Sequence, residues 1–512
     1  MGNNDVETRQ QIDEEIIVLE RRLLALRTQR NRLAPICRLP VETIARIFHF
    51  ASSWNSRTPL ALTSVSRDWR DFVLELPELW STIDSELKSE FLPSYMARSK
   101  PRPLHVNLQK VDRNCASKIS AVLEELHRIQ EMEICAQLSH RWDDGHEELN
   151  APRLEKLTFT CLRLPTLIFS GNLCILSQLV LNSCRFEWNS LPAFPQLKFL
   201  SILRPHNRIP LNDFLQRLCS MPSLTTLQTC TTLIRSGDST NPSAFQLPNV
   251  TAIGLEKERC SLVAEMLQYL VLPRIRHLRL TLKPDDDQDE LAICRALDHF
   301  PPIKTSPVEI LSVQARANQC GYVLVLEDKG SFVALQIRYC TSPSMGGIRR
   351  MCRNLKPKEL KRLRVDFLGV PDILENFSFW EEFAGGSNLT ELTVRNDAVM
   401  DLVKYLNHER GRLQECMPQV SDEEFVNRVP YHGLSELFIR RSAHSMESQI
   451  SYLNSIAQYL QARREVDAEL KTLVVATEHD PPDDVVGRLA KSVGRLWLSV
   501  DEDVKRNLDR FH

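Results

Sequence analysis

LSQLVLNSC, residues 176–184, carries the pattern that decides the fold of this chain. Leu176, Leu179 and Leu181 are spaced three and then two residues apart, and Cys184 follows after three more. Successive side chains of a strand point to opposite faces of a sheet, so Leu179 and Leu181 share one face, and Gln178, Val180 and Asn182 share the other. The stretch therefore predicts a short strand that is buried on one side only.

The same apolar-x-x-apolar-x-apolar template recurs from about residue 100 onward, and most copies begin 21 to 29 residues apart. Patterns typical of helices lie between the copies, at 117–130, 213–219 and 449–464. Leu224 begins a degenerate copy. The eleven full copies begin at Ile129, Leu154, Leu176, Leu197, Val250, Ile275, Phe332, Leu360, Leu389, Leu434 and Leu470.

A strand and a helix at this period are typical of leucine-rich repeats. The sequence thus predicts an α/β fold in which residues 101–512 form a repeat solenoid, with a parallel sheet inside and helices outside. Three longer gaps, 275 to 332, 389 to 434 and 434 to 470, indicate an unrecognised repeat or insertions. A dozen strands about 4.8 Å apart would span roughly 55–60 Å, which is the scale of a protein ligand.

The fourteen cysteines are scattered and form no C-x-x-C pair, which argues against a disulfide framework or a zinc site. Cys184 and Cys340 both close an L-x-x-L-x-L-x-x-C template, where a cysteine caps the turn after the strand from inside. The cysteines are therefore expected to be buried free thiols in a reducing compartment.

Basic residues occupy many positions that should be exposed on the predicted sheet in its C-terminal half. One interpretation is a face that binds an acidic or phosphorylated target; the other is a sheet face that is simply solvated. The candidate target-binding residues are Arg276, Arg279, Lys361, Arg364, Arg395 and Arg440.

Residues 1–35 form a separate unit. An apolar stripe steps by four and three residues, as in a coiled coil, with Arg30 occupying one of its positions. Either two copies of the chain pair through this helix into a homodimer, or the helix folds back on the next domain. The stripe consists of Ile12, Ile16, Leu19, Leu23, Leu26 and Leu33.

Three short helices are predicted in residues 36–85, followed by a linker at 86–100. Pro40 suits a first helical turn, Thr58 and Pro59 indicate a second helix start, and a third helix begins near Ser66. A unit of this size is not very stable alone, and its apolar residues outnumber what its own core can hide.

LP-x-E-x(4)-IF at 39–48, L-x-L-x-x-VS-x-x-WR at 60–70 and LPELWSTI at 76–83 resemble an F-box. More narrowly, they resemble the F-box-like proteins of mushroom-forming fungi, which often carry a short coiled coil ahead of the box. The resemblance implies a module that docks to the Skp adaptor of cullin–RING (SCF-type) ubiquitin ligases. By position, the residues that would form or support the adaptor-facing surface are Leu39, Pro40, Ile44, Ile47, Phe48, Val65 and Trp69.

Two positions depart from the family pattern, because Ser66 stands where cysteine is frequent and Asp68 where a basic residue is frequent. Trp80 is expected to attach the box to the segment that follows it. The alternative for Trp69 and Trp80 is a purely internal role in the core of the helices.

No catalytic motif is present, so the chain is expected to be a non-catalytic protein without cofactor or metal. Asp285–Glu290 lacks the glycine of a calcium loop, and His140 and His146 are better explained as surface polarity. A net charge of −2 favours neither nucleic acid nor membrane as partner. No signal peptide or apolar span is recognised, which predicts a cytoplasmic or nuclear location.

Three function classes remain open. The first is a substrate receptor whose box binds the Skp adaptor, and through it a cullin, while its repeats hold a target. The second is an interaction scaffold outside ubiquitin ligases. The third is a leucine-rich-repeat sensor or an inhibitor that masks an enzyme.

Overall fold

The computed structural model describes residues 3–52, 55–109, 115–136, 151–161, 173, 175–235, 244–283, 310–316, 319–327, 334–339, 360–368, 378–384, 388–416, 430–431, 433–441, 446–465, 468–477 and 479–499. The chain divides into two compact units. Unit 1 comprises Met1–Leu197 and Pro205–Asn207, and unit 2 comprises Lys198–Arg204 and Arg208–His512. The division falls within the repeats and not at the borders predicted near residues 85 and 100.

Unit 1 begins with helices. Pro59 occupies an early position of its helix, and the Ser66 hydroxyl caps another by accepting a hydrogen bond from the Trp69 backbone N–H at 3.2 Å. Single 3₁₀ turns lie at Pro35–Arg38 and Pro77–Trp80. The α-helices are α1 (Asn3–Arg32), α2 (Val41–Ser52), α3 (Thr58–Thr63), α4 (Arg67–Leu74), α5 (Leu92–Arg98) and α6 (Cys115–Glu124).

The strands of unit 1 form a parallel sheet in which each strand pairs with the next along the chain. This sheet starts at Thr82, before the predicted beginning of the repeats at residue 101. Residues 86–100, predicted to be a linker, contain α5, whose Leu92 and Tyr95 are buried. The strands are β1 (Thr82–Asp84), β2 (Leu104–Leu108), β3 (Ile129–Ala136), β4 (Lys156–Cys161) and β5 (Gln178–Asn182).

Trp80 joins the helices to the first strand. Its side chain is fully buried, its indole N–H donates to the Val73 carbonyl of α4 at 2.9 Å, and its ring packs edge-on against Tyr95, 4.9 Å between centroids. Tyr95 in turn donates to the Ser56 carbonyl. Burial, together with the negative charge of Asp84, raises the pKa of the Tyr95 hydroxyl above its usual range, so it stays protonated as a donor.

Asp84 completes this joint from the end of β1. One of its carboxylate oxygens accepts the Ser56 backbone N–H at 2.9 Å, and the other accepts the Glu86 N–H at 2.8 Å and the Leu87 N–H at 3.0 Å. The loop before α3 is thereby fixed to the turn after β1. The short helices do not depend on their own core alone.

Unit 2 contains the rest of the repeat strands and their helices. The helices are α7 (Leu211–Leu218), α8 (Cys260–Tyr269), α9 (Ser378–Ala384), α10 (Ala398–Cys416), α11 (Met446–Glu465) and α12 (Asp483–Lys491). The strands are β6 (Phe199–Leu203), β7 (Ile209–Pro210), β8 (Thr226–Cys230), β9 (Leu233–Ile234), β10 (Phe245–Gln246), β11 (Ala252–Arg259), β12 (Leu270–Val271), β13 (His277–Lys283), β14 (Ile310–Arg316), β15 (Gln319–Glu327), β16 (Ala334–Tyr339), β17 (Arg362–Leu368), β18 (Glu391–Asn396), β19 (Glu436–Arg440), β20 (Leu470–Ala476) and β21 (Val493–Ser499).

The main sheet of unit 2 has the order β6-β8-β11-β13-β16-β15-β14-β17-β18-β19-β20-β21. Its neighbours are parallel except at β15, which is antiparallel to β14 and β16. Short parallel pairs, β7 with β9 and β10 with β12, lie beside it. The α/β class and the large parallel sheet predicted from the sequence are confirmed; the antiparallel strand was not predicted.

The long gaps between template copies have different contents. The gap after Ile275 contains β14 and β15, and β14 is an unrecognised copy whose Leu311 and Val313 align with Leu363 and Val365 of β17. The gaps after 389 and 434 contain the long helices α10 and α11 instead. β21 is a further copy, with Leu496 aligned to Leu473 of β20.

The repeats share a turn with a left-handed backbone residue, which the sequence pattern does not predict. In five copies the residue seven places after the first apolar position has a positive φ, between 49° and 56°; four of these residues lie at the end of their strand, and Lys257 lies at a bulge within β11. Such left-handed backbone costs roughly 1–2 kcal/mol for a residue other than glycine, so the following contacts must hold it in place. The five residues are Ser183, Arg204, Thr231, Lys257 and Asn396.

The residue that directly follows the left-handed one supplies contacts that hold the turn in place. Cys184, which is buried, lies 3.6 Å from the Phe159 carbonyl of the preceding strand, and the Thr232 hydroxyl donates to the Ile202 carbonyl at 2.9 Å. Glu258 accepts the Thr232 N–H at 2.7 Å, and its burial raises its pKa. The predicted internal capping by Cys184 is confirmed, and Cys340 lies outside the described residues. Threonine and glutamate take the same position in other repeats. The prediction of buried thiols is wrong for Cys37 and Cys219, which are exposed.

We expect Trp80→Ala to loosen α4 and β1 together, because the substitution removes a fully buried ring and the hydrogen bond to Val73. A loss of about 3–5 kcal/mol of local stability is typical of such a truncation. Hydrogen exchange of the α4 and β1 backbone amides measures it. Trp497→Ala, at a position 63% exposed, serves as the control and should leave these amides unchanged; unaltered α4 protection in Trp80→Ala would contradict the joint.

Candidate protein-binding surfaces

An apolar row runs along the outside of α2. Residues three apart on a helix are neighbours on its surface, so Val41, Ile44, Ile47 and Phe50 form a continuous line. Val41, Ile47 and Phe50 are 53%, 40% and 68% exposed, and Ile44 is half-buried. An exposed apolar line of this kind on a small helical unit is typical of a protein-binding surface.

The inner side of α2 packs against α4. Phe48 is buried, and its ring lies 4.6 Å from that of Trp69 and 6.0 Å from that of Phe72. Trp69 is half-buried, so it contributes both to this core and to the surface. Val65, just before α4, is 56% exposed.

The seven residues predicted to face an adaptor therefore divide by location. Leu39, Pro40, Ile47 and Val65 are exposed, Ile44 and Trp69 are half-buried, and Phe48 is core. Phe48 supports the exposed row from inside, since its ring fills the space between α2 and α4. Val41 and Phe50 belong to the exposed row and were missed, although their three-residue spacing from Ile44 and Ile47 was readable in the sequence.

The two departures from the family pattern have local roles. Ser66 caps α4, as described above, and Asp68 pairs with Arg32 of α1 at 3.2 Å. Both partners of this ion pair are exposed, which limits its contribution to roughly 0–1 kcal/mol. Ser66 thus stabilises the start of α4, and Asp68 connects α4 to α1.

The stripe of α1 stays uncovered by the part of the chain that the structure describes. The five apolar stripe residues within α1, and Leu33 directly after it, are between 46% and 66% exposed. The alternative in which this helix folds back on the next domain is therefore not what the structure describes. The other exposed apolar residues of α1 are Ile17, Val18 and Leu24.

The second candidate surface lies on the exposed face of the unit 2 sheet. Leu392 and Val394 of β18, like their equivalents in β17, β19 and β20, are buried, so the residues between them lie on the opposite, accessible face. Arg395 and Arg440 are direct neighbours across β18 and β19. Arg364 lies one strand further on, beside Thr393.

The structure does not gather all six predicted basic residues. β16, β15 and β14 lie between β13 and β17, so Arg279 and Arg364 are four strands, or about 19 Å, apart. Arg276 and Lys361 precede their strands and lie at the edge where the strands begin. Two template copies, β16 and β14, and the antiparallel β15 between them are the reason for this separation.

Acidic residues are interleaved with the basic ones. Glu391 pairs with Arg362 at 3.0 Å, and Glu436 is the neighbour of Glu391 on β19. Asp366 accepts a hydrogen bond from the Asn396 amide at 2.7 Å. Asp366 is also the direct neighbour of Arg395 on β17, so basic and acidic side chains alternate on this face, and Arg440 lies beside Arg395 on the other side.

An apolar row adjoins the two arginines. Phe438, Val474 and Trp497 are direct neighbours across β19, β20 and β21. Phe438 and Val474 are half-buried, and Trp497 is 63% exposed. Sequence analysis missed this row because the β21 copy of the template, with Val493, Leu496 and Leu498 at its apolar positions, was not recognised.

Neither surface contains groups arranged for a metal. Among the described residues, no cluster of three or more histidine, cysteine, aspartate or glutamate side chains could hold an ion. Asp285–Glu290, His140 and His146 lie outside the described residues. Of the helices that the structure describes, none combines the length and apolar character needed to cross a bilayer.

Comparison with known proteins adds little to this geometry. No family model and no curated protein matches the sequence. A solved structure of a TLR13–ssRNA13 complex is similar with a TM-score of 0.32 and 13% identity, over 82% of this chain and 51% of the other. The chain thus spans about half the length of that structure. A likeness this distant bears no weight, and the repeat-type fold rests on the strand register described above.

Core residues and exposed residues of the helical unit should respond differently to truncation of their side chains. Trp69→Ala removes a ring packed on Phe48 and should cost about 2 kcal/mol of local stability, whereas Val65→Ala should cost less than about 0.5 kcal/mol. Hydrogen exchange of the α2 amides compares them. Equal effects would show that Trp69 contributes no core packing.

Proposed function

We propose that this protein is a non-catalytic substrate receptor of an SCF-type cullin–RING ubiquitin ligase. In this role α2, α3 and α4 bind a Skp-type adaptor, the repeat sheet binds a target protein, and other subunits transfer ubiquitin. The observation that carries the proposal is the exposed apolar row of α2, on helices whose sequence resembles an F-box.

The energetics of this row favour a protein partner. Covering a large apolar side chain contributes roughly 1.5–3 kcal/mol, so Val41, Ile47 and Val65 together offer a substantial part of a stable interface. Half-buried Trp69 adds an aromatic edge, and aromatic residues are enriched among those that dominate interfaces.

The attachment of the helices also supports this role. A receptor must hold its adaptor-binding module and the start of its repeats in a fixed relation. Trp80, Tyr95 and Asp84 connect the helices to β1 through buried packing and hydrogen bonds. An adaptor bound to α2 would therefore be held firmly relative to the first repeats of unit 1.

For the target, the apolar row and the arginine pair favour one site. An aromatic or aliphatic side chain of the target would cover Phe438, Val474 and Trp497, and an adjacent carboxylate or phosphate would bind Arg395 and Arg440. This proposal keeps the acidic or phosphorylated target expected from the sequence and restricts it to β18–β21. Arg276, Arg279, Lys361 and Arg364 lie outside that site.

Adaptor binding is tested by Ile47→Asp with Val65→Asp, because both side chains are exposed and their loss should spare the core. We expect binding of a purified Skp-type adaptor to weaken by at least roughly 100-fold in calorimetry. Ile175→Asp is the matched control, since Ile175 is 41% exposed and precedes β5, four strands from β1 in unit 1. Wild-type protein that fails to bind the adaptor would refute the receptor role and favour a scaffold or inhibitor.

Target binding is tested with a library of peptides that pair an aromatic residue with aspartate or phosphoserine. Arg395→Glu with Arg440→Glu should weaken the selected peptides roughly tenfold and reduce their salt dependence, and Trp497→Ala should weaken them by a similar factor. Arg276→Glu with Arg279→Glu is the control of equal charge change. If that control weakens binding as strongly, the proposed location is wrong.

A further inference from the structure

The two halves of α1 carry opposite charge, so a helix that covers its apolar stripe must carry a matching charge pattern. Residues 3–20 contain six acidic residues and one arginine, whereas residues 21–32 contain five arginines and no acidic residue. Acidic residues at the start and basic residues at the end of a helix also favour its dipole, but that effect is confined to the first and last turns. Glu15, Glu20 and Arg22 lie well inside the helix.

The apolar stripe fixes which charged residues flank it. With Ile16 and Leu23 at heptad position a and Ile12, Leu19 and Leu26 at position d, Asp13, Glu20 and Arg27 fall at position e. Glu15 and Arg22 fall at position g. These five charges border any helix that covers the stripe.

A parallel pair of such helices is electrostatically unfavourable. In that arrangement position g of one helix lies beside position e of the next heptad in its partner. Glu15 would then lie beside Glu20 of the second copy, and Arg22 beside Arg27. Both of these pairs repel, and a symmetric dimer contains each of them twice.

An antiparallel pair reverses the sign of these contacts. Position g then lies beside g and e beside e, so Glu15 lies near Arg22 of the second copy, and Asp13 and Glu20 lie near Arg27. A twofold axis near Arg21 stacks Leu19 on Leu23 of the second copy. Near the axis Glu20 also lies beside Glu20 of the second copy, and Arg22 beside Arg22. Each of these repulsive contacts occurs once in the dimer, whereas each attractive contact occurs twice.

We propose that α1 binds a second copy of this chain as an antiparallel two-helix coiled coil centred near Arg21. The observations that carry it are the uncovered apolar stripe and the opposite charge of the two halves of the helix. The dimer carries two copies of each surface described above, so a target with two binding segments gains avidity. The pairing itself does not depend on the ubiquitin-ligase role.

The seam is tested on the full chain by sedimentation equilibrium. Leu19→Gln with Leu23→Gln should convert the dimer to a monomer, because both side chains lie at the centre of the stripe. Ile17→Gln with Leu24→Gln is the matched control: these residues are as exposed as the seam but lie on another side of the helix. A monomeric wild-type chain, or a control variant that dissociates as readily, overturns the proposal.

The orientation is tested by charge reversals that act in opposite directions in the two arrangements. Arg27→Glu replaces attraction by repulsion at Asp13 and Glu20 in the antiparallel dimer, so its dissociation constant should rise roughly tenfold. In a parallel dimer the same change creates an attractive pair with Arg22 and strengthens association. Glu20→Arg should behave likewise, and combining it with Arg27→Glu should recover part of the lost affinity. Tighter association of either single variant overturns the antiparallel arrangement.

Discussion

Each repeat depends on the one before it, because its single strand completes its hydrogen bonds only by pairing with a neighbour. In several of the described repeats the backbone N–H that precedes the strand donates to the equivalent carbonyl of the preceding repeat, for example from Thr251 to Thr225 at 2.8 Å and from Ser435 to Thr390 at 2.9 Å. The Thr251 and Ser435 hydroxyls donate to the same carbonyls. This contact fixes the register in which the buried leucines stack, and a one-residue slip would expose all of them. The rest of the fold follows from that register.

The register also determines what the accessible face can present. Since the inward positions are occupied by residues such as Leu437 and Ile439, the side chains between them are held about 4.8 Å from their counterparts on the next strand. Rows across several strands therefore act as surfaces, as Phe438, Val474 and Trp497 do. Three strands, β16, β15 and β14, lie between Arg279 and Arg364 along one such row, which is why basic residues that match in the repeat pattern lie in separate places.

Much of the fold follows from sequence period alone, because one apolar template predicts most of the strands of the parallel sheet, and Pro59 and Ser66 mark helix starts. The antiparallel β15 could not be predicted, since strand direction depends on pairing between distant segments and leaves no local signal. The left-handed conformation of residues such as Arg204 and Lys257 could not be predicted for a related reason. It is imposed by the repeat and not by the residues' own preference. For the surfaces, the sequence identifies apolar and basic residues, but only packing separates buried Phe48 from exposed Ile47.

The joint at Trp80 explains how a unit of three short helices can leave an apolar row on its surface. A small helical unit normally needs all of its apolar residues for its own core. Here part of the core comes from outside the three helices, because Trp80 lies under α4 and Tyr95 holds the loop before α3. Val41 and Ile47 are therefore not required for folding and remain exposed. The stability of the helices and the availability of their surface thus have the same origin, namely their attachment to the first strand.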